Sequence, residues 1–288
     1  MTAPKGLSPG LAEAHFRPAR RLICDDNCGA AAPGPGFAMV EPCPAAPHGA
    51  AMLPAAELIP LAPPTATPAA CQVQWRRSLR ASRVSLRVDV RSGAVVVTLP
   101  PRAGRRQGMA LITAHAAWLV QRLAALAPHV ALVPGAVLPL GGEPHVLRHQ
   151  PQAPAGAWLE PGVILAGGPA EALPGLVGGL LQAEARRRIA LLVQRHAAQL
   201  GVQPGGLRLK DPRSRWASCA PDGTLAFSWR LVMAPDWVLA YVVAHEVAHL
   251  REMNHSPRFW ALVAELTPAR DQAVAWLKAH GPGLLRVG

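Results

Sequence analysis

The pentapeptide His245-Glu246-Val247-Ala248-His249 constrains this chain more than any other feature. It ends a run dense in apolar residues, among them Trp237, Val238, Leu239, Tyr241, Val242 and Val243. Two imidazoles and a carboxylate buried there without partners would be costly, so the fold must give them something to bind. On a helix, four residues span about 400°, which sets both imidazoles on one face about a turn apart. That spacing suits two nitrogen ligands of one zinc ion at about 2.0–2.1 Å. Glu246, beside the first ligand, can take a proton from a zinc-bound water and so generate a nucleophile near neutral pH.

A catalytic zinc normally takes three protein ligands and keeps one position open. His255, six residues past His249, is the best third ligand, with Glu252 or Glu265 as carboxylate alternatives. Zinc proteases with a compact metzincin turn have glycine at the position held here by Glu252, so this chain must leave its helix differently. Asn254 tolerates a left-handed conformation and can bend the chain. Ser256-Pro257 then reads as an N-cap followed by proline at the first helical position, which leaves His255 at the corner.

Around this segment the pattern predicts an α+β domain. Val84, Leu86, Val88 and Val90 alternate with polar residues as in a half-buried strand, and Ser92-Gly93 turns into a second strand over 94–99. Met109 to Leu126 carries apolar residues at helical spacing, and Gly141-Gly142 closes a hairpin. Leu181, Ile189, Leu192 and Leu200 share one face of a further helix, with Arg186, Arg187 and Arg188 largely on the other. Asp222-Gly223 leads into a strand over 224–229, and Pro235 opens a helix to about Met253. Thr267-Pro268 repeats the capping pattern, and Gly281-Pro282 stops the last helix.

Composition divides the chain. Of 31 prolines, 13 fall before position 71, and residues 30–70 show neither helical nor strand period. Residues 1–70 are therefore expected to be a disordered Ala/Pro-rich extension without assigned function, and 71–288 one domain. Cys24 and Cys28 read as stray thiols, since no second ligand pair follows at zinc-finger spacing. The extension carries net charge −1, so the domain carries +13, almost all of it arginine. Five irregularly spaced cysteines argue against a disulfide framework and for a reducing compartment. No apolar run spans a membrane and Met1–Gly10 lacks a signal-peptide core, so the expected location is the cytoplasm. Oligomeric state is not written in the sequence.

The segments Arg215-Trp216-Ala217-Ser218-Cys219, Phe227-Ser228-Trp229-Arg230-Leu231 and His245 through Trp260 together resemble the YgjP-like metallopeptidase family. That family belongs with the SprT-like and WLM-type minimal zincins. The resemblance is strongest over 205–280 and reaches, more weakly, the arginine-rich hairpin from Arg76 to Leu99. It implies a minimal zincin-like fold: an N-terminal hairpin-rich part, a short sheet and an HExxH helix, with a zinc-binding core at about 178–281. It further implies zinc ligation by His245, His249 and His255, Glu246 as general base, and a peptide or protein substrate. Ala217 and Ser228 stand where the family usually has glycine and asparagine, which bears on the loop over the site. By analogy with zincins, the 224–229 strand offers its edge to an extended substrate, and Arg213, Arg215 or Arg230 is a candidate to stabilise the oxyanion. Trp216, Cys219, Phe259 and Trp260 are better explained by core packing.

Two other functions share the metal site. The family has been associated with UTP pyrophosphatase activity, which an arginine-rich domain would suit; the sequence has no glycine-rich phosphate loop and no acidic cluster for magnesium. Arg76, Arg77, Arg80, Arg83, Arg87, Arg91, Arg102, Arg105 and Arg106 crowd one stretch. SprT-like and WLM relatives cleave proteins crosslinked to DNA, so nucleic acid is a possible partner, with strongly salt-dependent affinity.

Overall fold

The computed structural model describes residues 56–61 and 70–288. Four strands come first: β1 (Ala56–Pro60), β2 (Ala70–Arg77), β3 (Ser85–Val88) and β4 (Val95–Leu99). They form a sheet in the order β1-β2-β4-β3, with β2 and β4 parallel and the other pairs antiparallel. The β3–β4 hairpin is the one expected from the alternation. β1 lies inside the 1–70 segment expected to be disordered, and for residues 56–61 that expectation is wrong. The strand is short and ends in proline, so its own pattern is weak. Pairing with β2 and the burial of Ile59 and Leu61 hold it in place. The rest of that segment, with Cys24 and Cys28, lies outside the described residues.

Two helices follow, α1 (Arg105–Ala114) and α2 (Ala116–Ala124), where one was expected. The break falls at His115 (φ −112°, ψ 18°), and both Ile112 and Leu119 remain buried in the core beneath the first sheet.

The second sheet, in the order β5-β6-β8-β7, contains β5 (Val137–Leu140), β6 (Glu143–Gln150), β7 (Gly156–Glu160) and β8 (Val163–Gly167). Gly141 and Gly142 join β5 to β6 with φ of 63° and 86°, the positive pair a tight two-residue hairpin requires. Their amides donate to the carbonyls of Val232 and Met233, which fastens this hairpin to the segment leading into the HExxH helix.

The larger core is organised by α3 (Leu173–Leu200). Leu181, Ile189 and Leu200 are buried along it, Arg186 and Arg187 are exposed, and Gly201 terminates it in the left-handed conformation. A third sheet follows from β9 (Gly206–Lys210), β10 (Ala217–Cys219) and β11 (Thr224–Ser228), in the order β10-β11-β9. A 3₁₀ turn over Trp229–Met233 leads into α4 (Asp236–Ala248), then α5 (Pro257–Leu266) and α6 (Arg270–Leu284). The class is α+β as expected, though small mixed sheets replace a clean succession of strands then helices. No described helix is long and apolar enough to cross a membrane.

Three further expectations give way to packing. α6 runs through Gly281-Pro282 instead of stopping there. Gly281 serves Trp216: a Cβ at 281 would lie 2.9 Å from the indole Cζ2. The buried Arg230 guanidinium donates to the carbonyls of Leu284 (3.0 Å) and Val287 (2.5 Å), and so satisfies acceptors that the end of a helix leaves without intrahelical donors. Before α6, Thr267 is no N-cap of the Ser256 type, because its hydroxyl accepts from Ala269 and the helix begins at Arg270. Finally, β11 offers no free edge for a substrate strand. Antiparallel β10 occupies one side and parallel β9 the other, a long-range pairing that local pattern does not reveal.

Candidate metal centre

α4 is buried almost all round, with every residue from Tyr241 to Ala248 in the core, so its polar groups must be satisfied within the protein. It ends at Ala248, a turn and more before the expected Met253. The chain then tightens: Leu250 and Arg251 donate to the carbonyls of Val247 and Ala248 across single three-residue turns. Asn254 supplies the bend through its side chain, Oδ1 accepting from the Ser256 amide at 3.0 Å. Ser256 caps α5 by accepting from the Phe259 amide, with Pro257 at the first helical position. This corner carries His255 back towards α4.

The outcome is a triangle of imidazoles. Ring centres lie 5.0 Å apart for His245 and His249, 5.1 Å for His245 and His255, and 4.8 Å for His249 and His255. One nitrogen from each falls within 4.8 Å of the other two, a group that can hold a metal ion. His245 Nε2 and His255 Nε2 are 3.2 Å apart, close to the roughly 3.3–3.4 Å between two nitrogens bound tetrahedrally at about 2.0–2.1 Å. His249 Nδ1 donates to the Glu252 carbonyl at 3.1 Å. That bond fixes the tautomer and leaves the Nε2 lone pair, buried and without a hydrogen-bond partner, facing the cluster. The donor set fits a borderline-soft divalent ion such as zinc.

Burial tunes the rings towards the same end. It is the main cause that lowers His245 to about 2, with the neighbouring His249, His255 and Arg270 adding repulsion. Burial likewise lowers His249 to about 4, against the opposing pull of the Glu252 carbonyl. Both rings are thus neutral at physiological pH, the form in which imidazole binds a metal. Glu246, next to His245, is completely buried.

α5 packs aromatic rings directly on the cluster. Phe259 stacks on His249 at 4.4 Å and meets His255 edge-on at 4.7 Å. Trp260 stacks on His255 at 5.6 Å. These two residues form core, as expected, but the core they form is the wall around the imidazoles. The other expectations divide. The Glu252 side chain and Glu265 stand outside the cluster, and Cys219 is buried with its thiol directed at the Ala220 carbonyl. Ala217 and Ser228 lie in β10 and at the cap of the 3₁₀ turn, not in a loop over the site. Arg230 is committed to Asp211 and the C-terminal end of α6, and Arg213 pairs with Asp89 at 2.9 Å. Sequence reasoning passed over Arg270, whose guanidinium carbon lies 3.7 Å from the Trp260 ring centre. Only its position at the start of a helix after Thr267-Pro268 hinted at a structured place.

An α+β domain in which a buried helix and the corner after it bring three imidazoles together has the site of a metallohydrolase. The chain belongs to the YgjP-like family: the model of the YgjP-like metallopeptidase domain matches residues 83–280. No curated protein matches the sequence. Among solved structures, the crystal structure of the metallopeptidase zymogen of Pyrococcus abyssi abylysin is similar at 21% identity with a TM-score of 0.30. The match covers 32% of this chain and 93% of that one.

Proposed function

We propose that this protein is a zinc-dependent metallopeptidase in which His245, His249 and His255 hold the ion and Glu246 is the general base. The observation that carries the reading is the convergence of three imidazole nitrogens, two of the rings held neutral by burial, beside a fully buried carboxylate. A zinc ion there would polarise the scissile carbonyl as a Lewis acid and lower the pKa of a water. The chain's own part is positional. The Glu252 carbonyl orients His249, Phe259 covers the His249 ring, and Glu246 would take the proton of the attacking water for delivery to the leaving amine. An extended peptide would add alongside β10, the outer strand of the third sheet and the one that packs against α4. Two buried free cysteines, Cys71 and Cys219, accord with a cytoplasmic setting.

The competing readings find less support. Of the nine crowded arginines, Arg87, Arg91 and Arg105 pair with carboxylates, and Arg77 caps the carbonyls of Pro101 and Ala103. The test is to incubate zinc-loaded wild type and Glu246→Gln with an unstructured protein mixture and with UTP, and to read products by mass spectrometry. New peptide termini with wild type alone are expected. Pyrophosphate without peptide cleavage would instead establish the nucleotide reading, and full activity in Glu246→Gln would remove the general base.

A further inference from the structure

The metal cluster is closed on one side and open on the other. His245, His249, Glu246 and Phe259 are buried, whereas His255 and Trp260 are only partly covered and the Arg270 side chain is 49% exposed. A substrate therefore reaches the cluster across His255, Trp260 and Arg270. Arg270 is held at this mouth. Its guanidinium carbon lies over Trp260, 3.7 Å from the ring centre. Trp260 in turn stacks on His255 with ring centres 5.6 Å apart. Those separations bound the guanidinium to within about 9 Å of the His255 ring, a reach of up to about three residues along an extended peptide. The contact with Asp271 is a loose one at 4.0 Å, made to a carboxylate that is 96% exposed. Arg270 thus keeps donors available in a fork that matches a carboxylate bidentately.

We propose that Arg270 is a specificity-determining residue that binds a carboxylate of the substrate, within about three residues of the bond cleaved at the His245–His249–His255 centre. The inference rests on the peptidase reading. The carboxylate can come from an acidic side chain or from the peptide's own C-terminus, and the guanidinium chemistry is the same for both.

The experiment uses the zinc-loaded full chain and matched peptides. One set of pairs differs only by Glu against Gln at each position within about three residues of the scissile bond, the other pair only by a free against an amidated C-terminus at that distance. Wild type is expected to favour one carboxylate-bearing member at least about tenfold in kcat/KM, chiefly through KM, as one charge-assisted contact supplies. The pair that shows the preference identifies the source. Arg270→Gln should abolish the preference with zinc content retained, the ratio of kcat/KM between the paired peptides being the readout rather than either rate, and Arg270→Lys should restore part of it. Cleavage by wild type with no preference in any pair overturns the inference without needing any variant. Retention of the preference in Arg270→Gln overturns it equally. Absence of any peptide cleavage by wild type is a different result, which defeats the peptidase reading and this inference together.

Discussion

Removal of the metal should make this protein acid-labile in a window where carboxylates hardly titrate. His245 and His249 are each 3% exposed, and burial brings them to about 2 and about 4, against about 6.5 for imidazole in an unfolded chain. At pH 5.0 the folded metal-free protein keeps both rings neutral, while the unfolded chain binds a proton at each. Stability is therefore full above pH 6.5 and is lost as pH falls towards the folded-state values. Between pH 7.5 and 5.0 each ring contributes a loss of about 2 kcal/mol, at about 1.4 kcal/mol per pH unit below 6.5. Together they cost about 4 kcal/mol, a large share of the 5–15 kcal/mol typical of a domain. His196, also lowered by burial, acts in the same direction. Urea unfolding of chelator-treated protein at several pH values, followed by tryptophan fluorescence, measures the slope. A metal-free protein whose stability changes by less than about 1 kcal/mol across this window would refute the claim that the fold holds these imidazoles neutral.

Further perturbations test the frame around the site. His255→Ala should lower zinc affinity strongly while the fold persists, since this ring is only partly buried; unchanged metal content by mass spectrometry would assign the third ligand elsewhere. Arg230→Met leaves Asp211 one partner short and strips the carbonyls of Leu284 and Val287 of their donor, so a loss of about 3–5 kcal/mol in denaturant unfolding is expected. Gly281→Ala forces a methyl to 2.9 Å from the Trp216 ring and should cost about 1–3 kcal/mol by overpacking, despite the better helix propensity of alanine.

What the sequence made legible is what short-range chemistry determines. The HExxH spacing, the Ser256-Pro257 cap, the Gly141-Gly142 turn and the β3–β4 alternation each depend on a few neighbouring residues, and each appears where expected. Several of the misreadings turn on partners far along the chain. β1 exists because β2 pairs with it, and β11 lost its edge to β9, whose pairing crosses the whole of β10. Pro282 stays inside a helix whose end is tied down at the Leu284 carbonyl by Arg230, 54 residues before it. Arg270 reaches the mouth of the cluster from a helix of its own, and no spacing relative to His245 announces it.

The central claim is that three imidazoles hold one catalytic zinc. Diffraction from a zinc-loaded crystal, collected at the zinc absorption edge, tests it directly. The account predicts one strong anomalous peak about 2.0–2.1 Å from the Nε2 atoms of His245, His249 and His255. Zinc bound elsewhere on the chain, with these three rings unliganded, would contradict it.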